Sequence, residues 1–274
     1  MEVIEDVKCL KQAIKIECDN ALNLLVQKRL QWDQCATSIP ESLSISQCIL
    51  QMICMKSKSI LKLSDGVIPM QGCQPLIDFS SMLPIVRSAY ELCFIFHNIF
   101  VETETETESE ILLSLWKIKG LSSRQNIINI PNNFIEKAEK EKATINQLKD
   151  KIHKLVSILD ISEQAAKDIP GILRYNGDNI KGFHFVKEDG KIIQISAHYA
   201  KDGIKEMPQF KDTAALYNWT SIHTHGTFLS VLQFGQAYNA NYEVNILKTI
   251  LTSIYLIAKT VKSDFLIVSE KYGG

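Results

Sequence analysis

Apolar residues recur at three- and four-residue intervals along most of this chain, and that spacing predicts a mainly helical protein. In residues 1–34, Val7, Leu10, Ile14, Leu22, Leu25 and Val26 follow the pattern of one long amphipathic helix. A second helix is expected after Pro40, with Ser38 as its N-cap and Glu41 three residues on. Asp65-Gly66 should close it, and residues 66–75, with two Gly and two Pro, read as a loop. Residues 79–101 are almost continuously apolar and read as a helix buried on most sides. The alternating Thr and Glu of residues 101–110 have no apolar face, so a solvated loop or a helix start is expected there.

Helical spacing resumes from Ile111 to about Gly120. It resumes again after Pro131, where Lys and Glu alternate around a narrow apolar stripe. That stripe predicts a long helix with an exposed, ion-paired face. Residues 182–199 differ: Phe183 and Phe185 alternate with His184 and Val186, then Asp189-Gly190 punctuates a second β-rich run. This is a β-hairpin signal. Two further apolar helical runs, 211–238 and 241–268, complete the chain. The expectation is a single mainly-α domain over residues 1–274: a helical bundle with a small β-hairpin insertion near 182–199.

Composition narrows the function classes. Of 274 residues, 46% are hydrophobic and 22% charged, as in a globular protein. A net charge of −1 gives no bulk attraction to nucleic acid or acidic membrane. Of thirty basic residues only Arg29, Arg87, Arg124 and Arg174 are arginines, too few for an extensive phosphate-reading surface. A small site acting on RNA stays open. The seven cysteines include no C-x-x-C and follow no signal peptide, so free thiols in a reducing cytoplasm are expected. Residues 79–101 are long enough to span a bilayer, yet Pro84, Arg87, Glu91, His97 and Asn98 would each be penalised there. They read as a core helix, and no membrane partner is expected.

Two constellations carry candidate chemistry. Arg87 and Glu91 lie four apart in the apolar 79–101 stretch, on one helical face. Buried charges are costly unless paired, so the pair is either a structural clamp or a site. Tyr217, Ser221 and His225 stand at i, i+4 and i+8 and stack along one side of a helix. They read either as a hydrogen-bonded core stripe or as a general acid/base, His225, with Tyr217 and Ser221 positioning it. His223 points roughly opposite His225 on a helix, which makes this H-x-H a poor metal site. No P-loop or G-x-G-x-x-G occurs, and neither cofactor nor metal is expected.

Arg87-Ser88-Ala89-Tyr90-Glu91, together with Tyr217, Ser221, His225, Gly226 and Thr227, resembles an uncharacterised bacterial all-helical family with R-S-x-x-E and Y-x-x-x-S-x-x-x-H-G motifs. That family is similar to HEPN domains, helical bundles that often dimerise and often act as metal-independent ribonucleases in toxin, CRISPR and phage-defence systems. The resemblance implies a homodimer and a polar pocket built from Arg87, Glu91, Tyr217, Ser221 and His225. It also implies action on RNA or a nucleotide in a defence or toxin–antitoxin setting. Active HEPN members carry R-x(4–6)-H on one helix. Here Tyr217 or Asn218 stands at the Arg position, so the cation would come from Arg87 on another helix. The alternative is a non-catalytic binding or sensor module, or an antitoxin-like partner protein.

Overall fold

The computed structural model of the chain describes residues 6–34, 39–125, 131–174, 182–224, 227–236 and 242–272. It is mainly helical with one two-stranded antiparallel hairpin, as the spacing predicts. The chain divides into two compact units, residues 1–97 with 201–274 and residues 98–200.

The first unit is built on α1 (Val7–Gln34), α2 (Glu41–Leu63), α3 (Phe79–Phe96) and α10 (Tyr242–Tyr272). Helix α1 buries Leu10, Ile14, Cys18, Ala21 and Leu25, a single stripe that packs on α10 and α2. Helix α2 presents Leu43, Leu50, Ile53 and Ile60 to the same core. Helix α10 also packs on α3, and its Asp264 Oδ2 lies 2.9 Å from His97 Nδ1 at the end of α3. Pro40, not Ser38, occupies the N-cap position of α2, and no side chain caps it; Ser38 lies outside the described residues. Its backbone, at φ −55° and ψ 144°, already leads into the first turn. After α2 the chain reverses at Gly66 (φ +85°), where a Cβ would meet Pro75 Cβ at 2.8 Å. Only glycine fits that turn. Asp78 then opens α3 by accepting a hydrogen bond from the Ser81 amide.

Among the described residues two helices, Phe79–Val101 (α3 with the π-helical turn His97–Val101 that follows it) and Val244–Tyr272, are long and apolar enough to cross a membrane by length and composition. More than half of each apolar window is buried inside the protein.

The second unit contains α4 (Glu106–Gln125), α5 (Asn132–Val156), α6 (Glu163–Arg174), β1 (Gly182–Glu188) and β2 (Lys191–His198). The Thr/Glu repeat is the start of α4. Thr105 Oγ1 accepts from the Glu108 amide, and the Glu108 carboxylate accepts from the Glu104 amide, a reciprocal cap of the helix end. Glu108 is therefore buried rather than solvated. Helix α4 runs on through Gly120 to Gln125, five residues past the predicted stop. The hairpin turns at Asp189 (φ 50°) and Gly190 (φ 79°), the pair of left-handed residues such a two-residue turn needs. A bulge lies between Val186 and Lys187. A lone hairpin is marginal in water, and this one packs β1 on α4 and β2 on α6. Asn98 Nδ2 donates to the Phe183 carbonyl, and Asn98 Oδ1 lies 2.9 Å from His198 Nδ1.

Lys187 reaches from the hairpin to Glu104 Oε2 at 2.7 Å and Glu108 Oε1 at 2.8 Å. Burial works against its charge, but the hydrogen bonds to Glu104 and Glu108 outweigh it and hold its pKa above the ordinary lysine value. Replacing Lys187 with Ala strands the buried Glu108 carboxylate. The expected loss is about 3 kcal/mol in urea unfolding. Because the folded pKa is raised, this contribution is complete below the unfolded value of about 10.4 and fades as pH rises through the folded one. On the alkaline side, Lys187→Ala and wild type should therefore converge only in strong alkali.

Candidate functional site

The apolar stripe of α3 turns Arg87 and Glu91 to the face that receives α8 (Ala214–Thr224). Three aromatic residues fix that docking. Tyr90 of α3 meets Phe210, in the short 3₁₀ turn Pro208–Phe210, edge-to-face at 5.3 Å, and meets Tyr217 of α8 at 6.1 Å. The Tyr90 hydroxyl donates to the Thr213 carbonyl just ahead of α8.

On this aromatic floor the structure brings four of the expected site residues together. Arg87 Nε lies 3.2 Å from Glu91 Oε1 along α3. The same carboxylate oxygen accepts from the Tyr217 hydroxyl at 3.1 Å. Arg87 Nη1 donates to Ser221 Oγ. The guanidinium carbon stands 4.7 Å from the Tyr217 ring centre, a cation–π geometry. Arg87 and Glu91 are 23% and 18% exposed, so the pair is not enclosed as the apolar run suggests. Helix α8 covers one side of it and leaves the other at the surface. His225 and Gly226, the remaining motif residues beside Thr227, lie outside the described residues.

Electrostatics sort the roles. Burial, and then the Glu91 charge, push the Tyr217 phenol well above the ordinary tyrosine pKa, with Arg87 opposing. Tyr217 is therefore a neutral hydrogen-bond donor at physiological pH. Arg87 is held by an ion pair, a hydroxyl and a ring, so its fork cannot swing. Among the described residues Nη2 has no partner. A partly exposed guanidinium held this way is chemically suited to meet an oxyanion.

Residues 211–238 are predicted as one helix, but the structure has two. Helix α9 (Phe228–Gln236) begins at Thr227, whose Oγ1 accepts from the Ser230 amide as an N-cap does. The Gly226-Thr227 pair in the sequence is the signal for this break. The structure also adds a cluster that spacing alone does not suggest. Gln233 Oε1 of α9 accepts from Trp219 Nε1 at 3.1 Å and lies 2.8 Å from His223 Nε2. That arrangement puts the proton on Nε2 of His223 and leaves its buried Nδ1 without a partner. Trp219 and His223 stand four apart, which is the trace of the cluster in the sequence. Among the described residues no three His, Cys, Asp or Glu side chains converge as metal ligands.

Arg87→Ala strands Glu91 between helices with only part of its solvation. A loss of about 1–3 kcal/mol in denaturant unfolding is expected. Tyr217→Phe keeps the ring under Arg87 and removes one hydrogen bond, so about 1 kcal/mol is expected. A double-mutant cycle between the two should show coupling, because both act on the same Glu91 oxygen.

No family model, no curated protein and no solved structure matches this chain.

Proposed function

We propose that this chain is a HEPN-like helical protein that binds a phosphate of RNA or of a nucleotide at Arg87. In this reading it acts as a metal-independent ribonuclease, or as a nucleotide-directed effector, in a cytoplasmic defence or toxin-type system. The observation that carries the reading is the partly exposed guanidinium of Arg87, held by Glu91, Ser221 and the Tyr217 ring, with no partner for Nη2 among the described residues. His225 follows Ser221 by one helical turn of sequence and supplies the titrating group. In strand cleavage the 2′-hydroxyl loses its proton to a base and attacks phosphorus. The bond to the 5′-oxygen then breaks, and that oxygen is protonated as it leaves. Arg87 neutralises charge on the pentacoordinate phosphate while His225 moves the proton. Glu91, Tyr217 and Ser221 position Arg87.

A second reading rests on the mutual satisfaction of Glu91, Tyr217 and Ser221 around Arg87. There the cluster recognises an anion without chemistry, as a binding or sensor module or an antitoxin-like partner would. The test uses an end-labelled mixed RNA pool in EDTA with wild type, His225→Ala and Arg87→Lys. Cleavage by wild type, lost in both folded variants, supports the ribonuclease. Binding without cleavage, weakened only by Arg87→Lys, supports the second reading.

The homodimer belongs to the same proposal, and α9 supports it. None of its residues is buried, and Phe228 and Val231 are 78% and 69% exposed, with Leu229, Leu232 and Phe234 also at the surface. At about 200 Å² for a whole aromatic side chain, such a face offers roughly 500 Å² of apolar surface per copy. Two copies reach about 1,000 Å², the lower bound of a specific interface. Wild type is expected to elute and scatter light as a dimer. Phe228→Asp with Val231→Asp should yield a folded monomer.

A further inference from the structure

A groove of about 1020 Å³ runs between α1 and α2 in the first unit. Among the described residues its walls carry five lysines and three aspartates. The ion pairs across it set the register of the two helices. Lys11 Nζ meets Asp65 Oδ1 at 2.9 Å near one end, and Asp19 Oδ1 meets Lys58 Nζ at 2.9 Å near the other. Residue numbers rise along α1 as they fall along α2, so the helices are antiparallel. Midway between these rungs lie Lys15 on α1 and Lys62 on α2, one on each wall. The third aspartate, Asp6, is turned to the start of α1, where its carboxylate accepts from the Lys8 amide. Lys8, Lys15 and Lys62 have no ion-pair partner among the described residues, and all three are exposed.

This pattern is not that of an evenly solvated face. Acids and lysines pair near the ends of the groove, whereas Lys15 and Lys62, on its two walls, pair with no acid among the described residues. Like charges so placed repel unless an anion lies between them. Among the described residues no aromatic side chain lines the groove, so they offer a ligand no base stacking.

We infer that the α1/α2 groove binds a linear oligophosphate, with its phosphates seated between Lys15 and Lys62 and reaching toward Lys8. The phosphates of a free nucleotide and those of a single-stranded nucleic acid share this chemistry. A duplex is far wider than the 8–10 Å that separates packed helices. The groove is separate from the Arg87 cluster and does not depend on its activity.

The test measures binding of inorganic tripolyphosphate, ATP and a labelled ten-nucleotide single strand to the full chain as salt rises from 50 to 200 mM. The variants are Lys15→Ala/Lys62→Ala and a charge-matched control on α5, Lys142→Ala/Lys154→Ala. All four positions are helical with exposed lysines, and circular dichroism checks the fold. Tripolyphosphate should bind wild type, and the groove variant should bind at least tenfold more weakly, with the control unchanged. If the source is a nucleic acid, the strand also binds. Its affinity then falls with log salt at a slope of about −2 for three lysines, and the groove variant flattens that slope to about −0.7. If the source is a nucleotide, ATP binds and the strand does not. Equal losses in the groove variant and the control would mean bulk charge alone and overturn the inference. So would failure of wild type to bind any of the three at 50 mM salt.

Discussion

The candidate site depends on what α3 does with one guanidinium. Arg87 lies on a helix whose other faces are committed to the core, so its charge needs partners close at hand. Glu91 supplies one from the next turn, and α8 supplies the rest. At eleven residues α8 is too short to be stable alone in water. Its helicity comes from docking on Tyr90 and Phe210, and from the hydroxyls of Tyr217 and Ser221 reaching the charged pair. The same contacts therefore hold α8 in place and fix the direction of Arg87. A polar cluster that bridges two helices while staying one-fifth exposed is stable enough to keep its geometry and open enough to meet a ligand.

The second unit solves a related problem with different parts. A two-stranded hairpin has too little surface to stand by itself. The bulge at Val186/Lys187 lies where Lys187 turns to the start of α4, and there Glu108 serves both as helix cap and as counter-ion. Asn98 adds a second tie by holding a strand carbonyl and His198 together. The hairpin is thus held on α4 by polar contacts as well as by the apolar residues beneath it.

A net charge near zero conceals how unevenly the charges lie. On α5, Glu136 and Lys140 pair within the helix, while Lys151 reaches Glu110 and Glu141 meets Arg124 on α4. Between α1 and α2 the ion pairs lie near the ends of a groove. Composition sums these arrangements to one value and does not show where the charges pair.

Periodicity was enough to place the long helices, the hairpin with its Asp189-Gly190 turn, and Arg87 and Glu91 on one face, because each follows from neighbours a few residues apart. Alternation left residues 101–110 open as a solvated loop or a helix start, and the break between α8 and α9 went unread because hydropathy runs straight through it. The short α6 and α7 (Ala200–Glu206) had too few apolar repeats to stand out. What the sequence could not supply was every contact made across distance. Glu91 and Tyr217 are separated by 126 positions, Arg87 and Ser221 by 134. No local pattern says that they meet, that Gln233 gathers Trp219 and His223, or that Lys15 and Lys62 face the same groove. Those facts depend on which helix faces pack together, and packing is decided by the whole set of apolar stripes at once.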